Sequence, residues 1–222
     1  MRIAVASRSF AGNPALRAEV RAKYPQVSFT ESPGILDGDA LAAFLKGHDR
    51  AIVGLERVDD RVLAQVPELE VISKYGVGLD GIDVEAVARR GIRLGWTGGV
   101  NRRSVAELTL AFAIALLHRL PECDVALRQG RWHKLVAREL TGKTVGIMGC
   151  GFVGQDLVKL LAPFGCRLLV HDIRAYPEFF AAHGVAPVPL DELLQAADHV
   201  TLHVPLDRST RGMIGAAELA RM

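Results

Sequence analysis

Three glycines set the tightest constraint on this chain. They close an apolar run in VGIMGCGFVG (145–154), at the spacing Gly149-x-Gly151-x-x-Gly154. That spacing predicts a strand turning sharply into a helix. Gly149 permits the bend, Gly151 lets backbone N–H groups approach a pyrophosphate, and Gly154 lets the helix pack on its sheet. The helix N-terminus adds a partial positive charge of about half a unit. The flanks agree. TVGIM (144–148) reads as a strand, and a helix from Phe152 to Phe164 has an inward stripe of Val153, Leu157, Leu160, Leu161 and Phe164. RLLVH (167–171) reads as the next strand and ends at Asp172, about 20 residues on, where an acid would hold ribose hydroxyls. A turn-forming Asp beside glycines that only relieve crowding is the plain alternative. Loop, strands, helix and acid together favour a dinucleotide. The charge of Asp172 disfavours the extra phosphate of NADP, which Arg174 softens, so the expected cofactor is NAD.

The rest of the chain has the rhythm of β-α units. Strand-like runs at 2–6, 27–30, 51–54, 69–74 and 92–95 alternate with helical patterns at 14–24, 39–46, 59–66 and 83–90. Short connections between such units predict a parallel, doubly wound sheet. The glycine-rich GWTGGVN (95–101) then reads as a crossover, and a second β-α-β series follows it. The boundary is placed at 98/99, giving domains 1–98 and 99–222, the second holding the glycine loop. Two further elements are read at 191–197 (helix) and 199–204 (strand).

Composition excludes several classes. The 222 residues carry a formal charge of +2, with no basic run to suggest a nucleic-acid partner. The most apolar stretch, Val105–Leu117, contains Glu107 and falls short of the about 20 residues a membrane span needs. It reads instead as a helix buried between domains or subunits. The N-terminus lacks the apolar core of a signal peptide. Cys123, Cys150 and Cys166 show no metal spacing, and a reduced cytoplasmic protein is expected. His48, His118, His133, His171, His183 and His199 have no partner at a telling spacing and are read as structural or solvated.

Four stretches in this order resemble the D-isomer-specific 2-hydroxyacid dehydrogenases, of the phosphoglycerate dehydrogenase-like kind. They are ISKYGVGLDGIDVEAVARRGI (72–92), GGVNRRSVAELTLAFAIALL (98–117), GRWHKLVARELTGKTVGIMGCGFVG (130–154) and ADHVTLHVPLDRSTRGMIG (197–215). The resemblance implies an α/β protein of two doubly wound parallel-sheet domains. One is a flavodoxin-like substrate domain, the other a Rossmann NAD-binding domain, truncated here, with a cleft between them and a homodimer formed through the nucleotide domain. It implies hydride transfer between NAD(H) and a D-2-hydroxy or 2-keto acid. Gly76, Val77 and Gly78 match a loop whose amides hold the substrate carboxylate. Phe152 and Val153 match the phosphate-facing turn, and Ile173 joins Asp172 at the cofactor. His203, Val204 and Pro205 match the strand end against the adenosine, and Thr210 a nearby residue. Asn101, Ser104, Val105 and Glu107 match a helix start near the nicotinamide, and Ser104 with Glu107 also reads as a capping box. Arg102 and Arg103 depart from the small residues expected there and have no assigned partner. Arg57, in the loop after the third strand, is read as binding an anionic end of the substrate, with a solvated surface arginine as the alternative.

The resemblance also implies an Arg, a Glu and a His for acid–base work and carbonyl polarisation. Those positions lie downstream of the final MIGAAELARM, so the expectation is a truncated chain, inactive alone, whose last strand leaves an open sheet edge. Two other readings stay open: a non-catalytic NAD-binding paralogue or corepressor-like redox sensor, and a hydrolase with structural NAD.

Overall fold

A computed structural model describes every residue except His133, one of the histidines read above as structural or solvated, which lies outside the described residues. The chain divides into two compact units, Met1–Val100 and Asn101–Met222. The first contains β1 (Ile3–Val5), α1 (Arg8–Ala11), α2 (Pro14–Lys23), β2 (Val27–Phe29), α3 (Gly38–Leu45), β3 (Arg50–Val53), α4 (Asp60–Ala64), β4 (Val71–Lys74), α5 (Val84–Arg89) and β5 (Arg93–Gly95). Its five strands are parallel in the order β2-β1-β3-β4-β5. A parallel sheet is covered on both faces, which is why β1 is buried along its whole length. Leu41, Leu45, Leu63 and Ile72 are fully buried, and each such side chain contributes about 1.5–3 kcal/mol. Helix starts follow their caps. Asn13 accepts from the amides of Ala15 and Leu16 ahead of Pro14, Asp59 from Val62, and Asp83 from Ala86.

The second unit contains α6 (Arg102–Leu117), α7 (Leu120–Arg128), β6 (Thr144–Met148), α8 (Phe152–Leu161), β7 (Arg167–His171), α9 (Pro177–His183), β8 (Val185–Pro187), α10 (Leu190–Ala196), β9 (His199–Leu202) and α11 (Ala216–Leu219). Its strands are parallel in the order β8-β7-β6-β9. Ile147, Leu157, Leu161, Leu168 and Val170 form its core with partly buried Val153, Leu160 and Phe164, the stripe expected of α8. In each unit the strand order reverses direction beside the first strand. Open α/β sheets bind ligands in the crevice this creates, at the carboxyl ends of the strands.

One sequence reading needs correction. The Ser104–Glu107 capping box does not form. α6 begins at Arg102, its N-cap is Asn101 without a side-chain cap bond, and Ser104 sits exposed inside the first turn. The reason is Arg103, whose Nη2 donates to Asp156 Oδ1 of α8 at 2.9 Å and holds the earlier turn in place. Arg103 therefore has a partner. α6, read from sequence as a helix buried between domains or subunits, is largely uncovered within this single chain. Only Ala106 and Ala113 are buried, whereas Leu108, Phe112 and Leu116 are 52%, 59% and 64% exposed.

Candidate functional site

β6 carries the glycine fingerprint to the carboxyl edge of the second sheet. Gly149 has φ +91, a left-handed value that suits glycine, and a Cβ there would stand 2.8 Å from the His203 backbone and 2.9 Å from Val204. A Cβ on Gly154 would stand 2.3 Å from Gly149 O. Gly151 differs, since nothing lies within 4 Å of its missing side chain. The loop is closed by two bonds, Gly149 N to His171 O at 2.9 Å and Cys150 N to Asp172 Oδ2 at 2.6 Å. Among the described residues, the N–H groups of Gly151, Phe152, Val153 and Gly154 donate to no protein acceptor. Four consecutive free donors at a helix N-terminus form an anion site.

Asp172 faces this row. Its Oδ1 accepts from Arg174 N at 2.8 Å while Oδ2 holds Cys150, and each oxygen retains a lone pair. Ile173 beside it projects almost wholly into solvent. Next to both lies a pocket of about 510 Å³ floored by Val170, Phe180, Val185 and Val188. Across the loop, His203 N bonds Met148 O at 2.7 Å, which places His203 and Val204 against Gly149. The imidazole of His203 shares a 3.0 Å hydrogen bond with Thr201 Oγ1, and burial lowers its pKa from the usual value. Burial, then the charge of Asp172, pushes the Cys150 thiol up to about 11. Thr210 is turned inward on its own loop, donating to Pro205 O at 2.6 Å and accepting from Asp207 N at 3.0 Å.

The fold thus brings together Gly149, Gly151, Phe152, Val153, Gly154, Asp172, Ile173, His203 and Val204. Pro205 and Thr210 stand on the next turn, and Ser104 on α6. Asp156 was missed by sequence reasoning. It is a buried acid among the inward positions of α8, and its Oδ2 has no hydrogen-bond partner among the described residues. A charge three residues after Val153, within the apolar stripe, was the available signal.

In the first unit, Gly76, Val77 and Gly78 follow β4, and Gly76 has φ +118. Among the described residues their three N–H groups donate to no protein acceptor. Trp96 Nε1 donates to Val77 O at 2.9 Å and fixes the loop. Asp80 Oδ1 lies 2.7 Å from where a Gly78 side chain would begin, so a side chain there would have to displace the Asp80 carboxylate. The loop after β3 lies alongside, through Val58 N to Gly81 O at 2.8 Å and Asp83 N to Val58 O at 2.9 Å. Arg57 belongs to this second loop. It is exposed, and among the described residues its one ion pair is a 3.6 Å pairing to Asp59.

These features define a class, an α/β protein of two parallel sheets with a dinucleotide-binding loop in the second. The family model described as "D-isomer specific 2-hydroxyacid dehydrogenase, NAD binding domain" matches residues 110–222. The chain belongs to the D-isomer-specific 2-hydroxyacid dehydrogenase family. It is 36% identical over 176 residues to a glyoxylate reductase of Thermococcus litoralis, covering 75% of this chain and 53% of that one. It is 34% identical over 199 residues to a D-3-phosphoglycerate dehydrogenase of Mycobacterium bovis, covering 88% and 37%. The chain therefore spans between about a third and a half of these relatives. The solved structure of the TT0316 protein from Thermus thermophilus superposes with a TM-score of 0.85 at 31% identity, covering all of this chain and 70% of that one.

The residues present fit NAD. Gly149 and Gly154 stand where a Cβ would collide, four free amides at the helix N-terminus would offer donors to a pyrophosphate, and a carboxylate at the end of the adjacent strand would offer acceptors to ribose hydroxyls.

Proposed function

We propose that this chain serves an NAD-dependent oxidoreductase that interconverts a D-2-hydroxy acid and its 2-keto acid. Residues 1–98 act as the substrate side and 99–222 as the nucleotide side. The observation that carries the reading is the row of free amides at Gly151–Gly154 facing a carboxylate locked to Cys150 N. The amides hold the pyrophosphate, and Phe152 and Val153 form its turn. Asp172 accepts from ribose hydroxyls with its remaining lone pairs. Ile173, Val204 and Pro205 give the adenosine apolar surface, with His203 and Thr210 shaping the strand end behind them. Ser104 lies at the nicotinamide end. NAD, when bound, supplies the hydride acceptor. Gly76, Val77 and Gly78 hold the acid's carboxylate through their N–H groups, and Arg57 meets a second anionic end where the substrate has one.

The protein acts as a homodimer through the nucleotide unit. Leu108, Phe112 and Leu116 recur every four residues along α6 and form one exposed apolar stripe, which a second copy would cover. Cys123, Cys150 and Cys166 are all free thiols, which suits the reducing cytoplasm.

Fluorescence titration with NADH and NADPH tests the cofactor reading. NADH binds at least about tenfold more tightly than NADPH, and Asp172→Ala lowers NADH affinity by roughly tenfold to a hundredfold through loss of charge-assisted hydrogen bonds. Equal affinity for the two cofactors overturns the role of Asp172.

A further inference from the structure

Lys74 ends β4, two residues before the Gly76–Gly78 amides, and its surroundings are unusual for a lysine. Its side chain is half-buried, and its Nζ donates to the carbonyl of Gly54, at the end of β3. Among the described residues it has no ion pair and no second hydrogen bond. Two of its three N–H donors therefore meet no acceptor among the described residues. Gly54 is gripped from its other side as well. The fully buried Glu56 accepts from Gly54 N at 2.5 Å, and Ser7 Oγ, from the end of β1, lies 2.6 Å from where a Gly54 side chain would begin. Residue 54 is thereby pinned at the reversal point between β1 and β3, where an open sheet of this order binds ligands. An ammonium hydrogen-bonded only to a neutral carbonyl has two donors left to offer an arriving anion, to which it would make charge-assisted hydrogen bonds.

We propose that Lys74 is a substrate-binding residue that supplies the cation for the carboxylate held by the Gly76–Gly78 amides. Gly54 serves as the rest that keeps the ammonium in place, and Glu56 and Ser7 act as positioning residues by immobilising Gly54. The proposal rests on the substrate-side reading of the Gly76–Gly78 loop. It adds a fixed positive charge to three neutral donors, and so predicts selectivity for acids over their uncharged analogues.

The test titrates glycolate into the NADH-saturated protein, followed by ligand-detected NMR, with the NADH affinity and the thermal midpoint measured for each variant. Lys74→Gln keeps a neutral donor for Gly54 but removes the charge, whereas Lys74→Arg keeps both. Lys74→Gln weakens glycolate binding about tenfold, the scale of a lost charge-assisted hydrogen bond, while Lys74→Arg stays within about twofold of wild type. NADH affinity is unchanged in both. Glycolate binding by Lys74→Gln equal to wild type shows that Lys74 is only a prop for Gly54, and overturns the assignment while leaving the loop reading intact. Wild-type protein that binds NADH but not glycolate overturns the loop reading and this proposal together.

Discussion

Gly154 has no room for a methyl group, and Gly151 has ample room for one. This contrast separates two functions of glycine in one loop. At Gly154 a Cβ would press into Gly149 O, so Gly154→Ala forces loop and helix apart and lowers stability by about 1–3 kcal/mol, as overpacking does. At Gly151 the φ of −72 is ordinary, and the space beside it is empty of protein. Gly151→Ala therefore melts within about two degrees of wild type, as a tolerated surface change does, yet binds NADH at least roughly tenfold more weakly because the methyl group stands where the pyrophosphate approaches. Thermal melts and NADH titrations of the two variants check this. Equal NADH affinity in Gly151→Ala and wild type would remove the pyrophosphate from that face. The glycines and Asp172 could be read from sequence because each is demanded by local backbone geometry at a fixed spacing. Asp156, Glu56, Lys74 and Trp96 could not be read that way. Their partners are Arg103, Gly54 and Val77, distant along the chain or meaningful only once the strands align.

Among the elements, those with a clear period were legible and the short ones were not. β1, β6 and β7 are apolar runs buried on both faces, and α8 has a complete inward stripe. β8 is three residues long, ends at Pro187 and lies at a sheet edge, where proline is tolerated, so it has neither run nor alternation to detect. α9 before it has the single buried residue Phe180. α6 shows how a good local motif loses to a tertiary contact. Ser104-x-x-Glu107 has the form of a start signal, but the Arg103–Asp156 pair sets the first turn upstream of it. In the proposed homodimer the exposed stripe of α6 forms the interface. Placing a charge in its centre, Phe112→Glu, converts the dimer to a monomer in analytical ultracentrifugation, since a buried unpaired carboxylate costs several kcal/mol. Phe112→Leu preserves the dimer. A wild-type protein that sediments as a monomer rules out this use of the stripe.

At the scale of the whole molecule, each unit has its own sheet and its own core. Ala4, Leu41, Val53 and Ile72 belong to one, and Val145, Ile147, Leu157 and Leu169 to the other. Every residue that would touch NAD in the reading above lies within Asn101–Met222. The segment Asn101–Met222 expressed alone is accordingly expected to bind NADH within about threefold of the full chain, a difference below about 1 kcal/mol. Isothermal titration of the two proteins checks it, and a segment that folds without binding NADH would assign part of the site to the first unit. The repeated β-α rhythm made two parallel sheets readable, because a parallel connection leaves a helix between each pair of strands. Strand order was not readable, since a strand run carries no record of which neighbour it pairs with.

Cys150 occupies the second position of the glycine loop, buried and with its thiol pushed up to about 11. At neutral pH its thiolate fraction is only about one part in ten thousand, and the thiolate is the form that alkylating and oxidising reagents attack. Maleimide dyes and mild oxidants will therefore modify the more accessible Cys123 first. A glycine loop built around a buried sulfur atom is in this way shielded from electrophiles and peroxides.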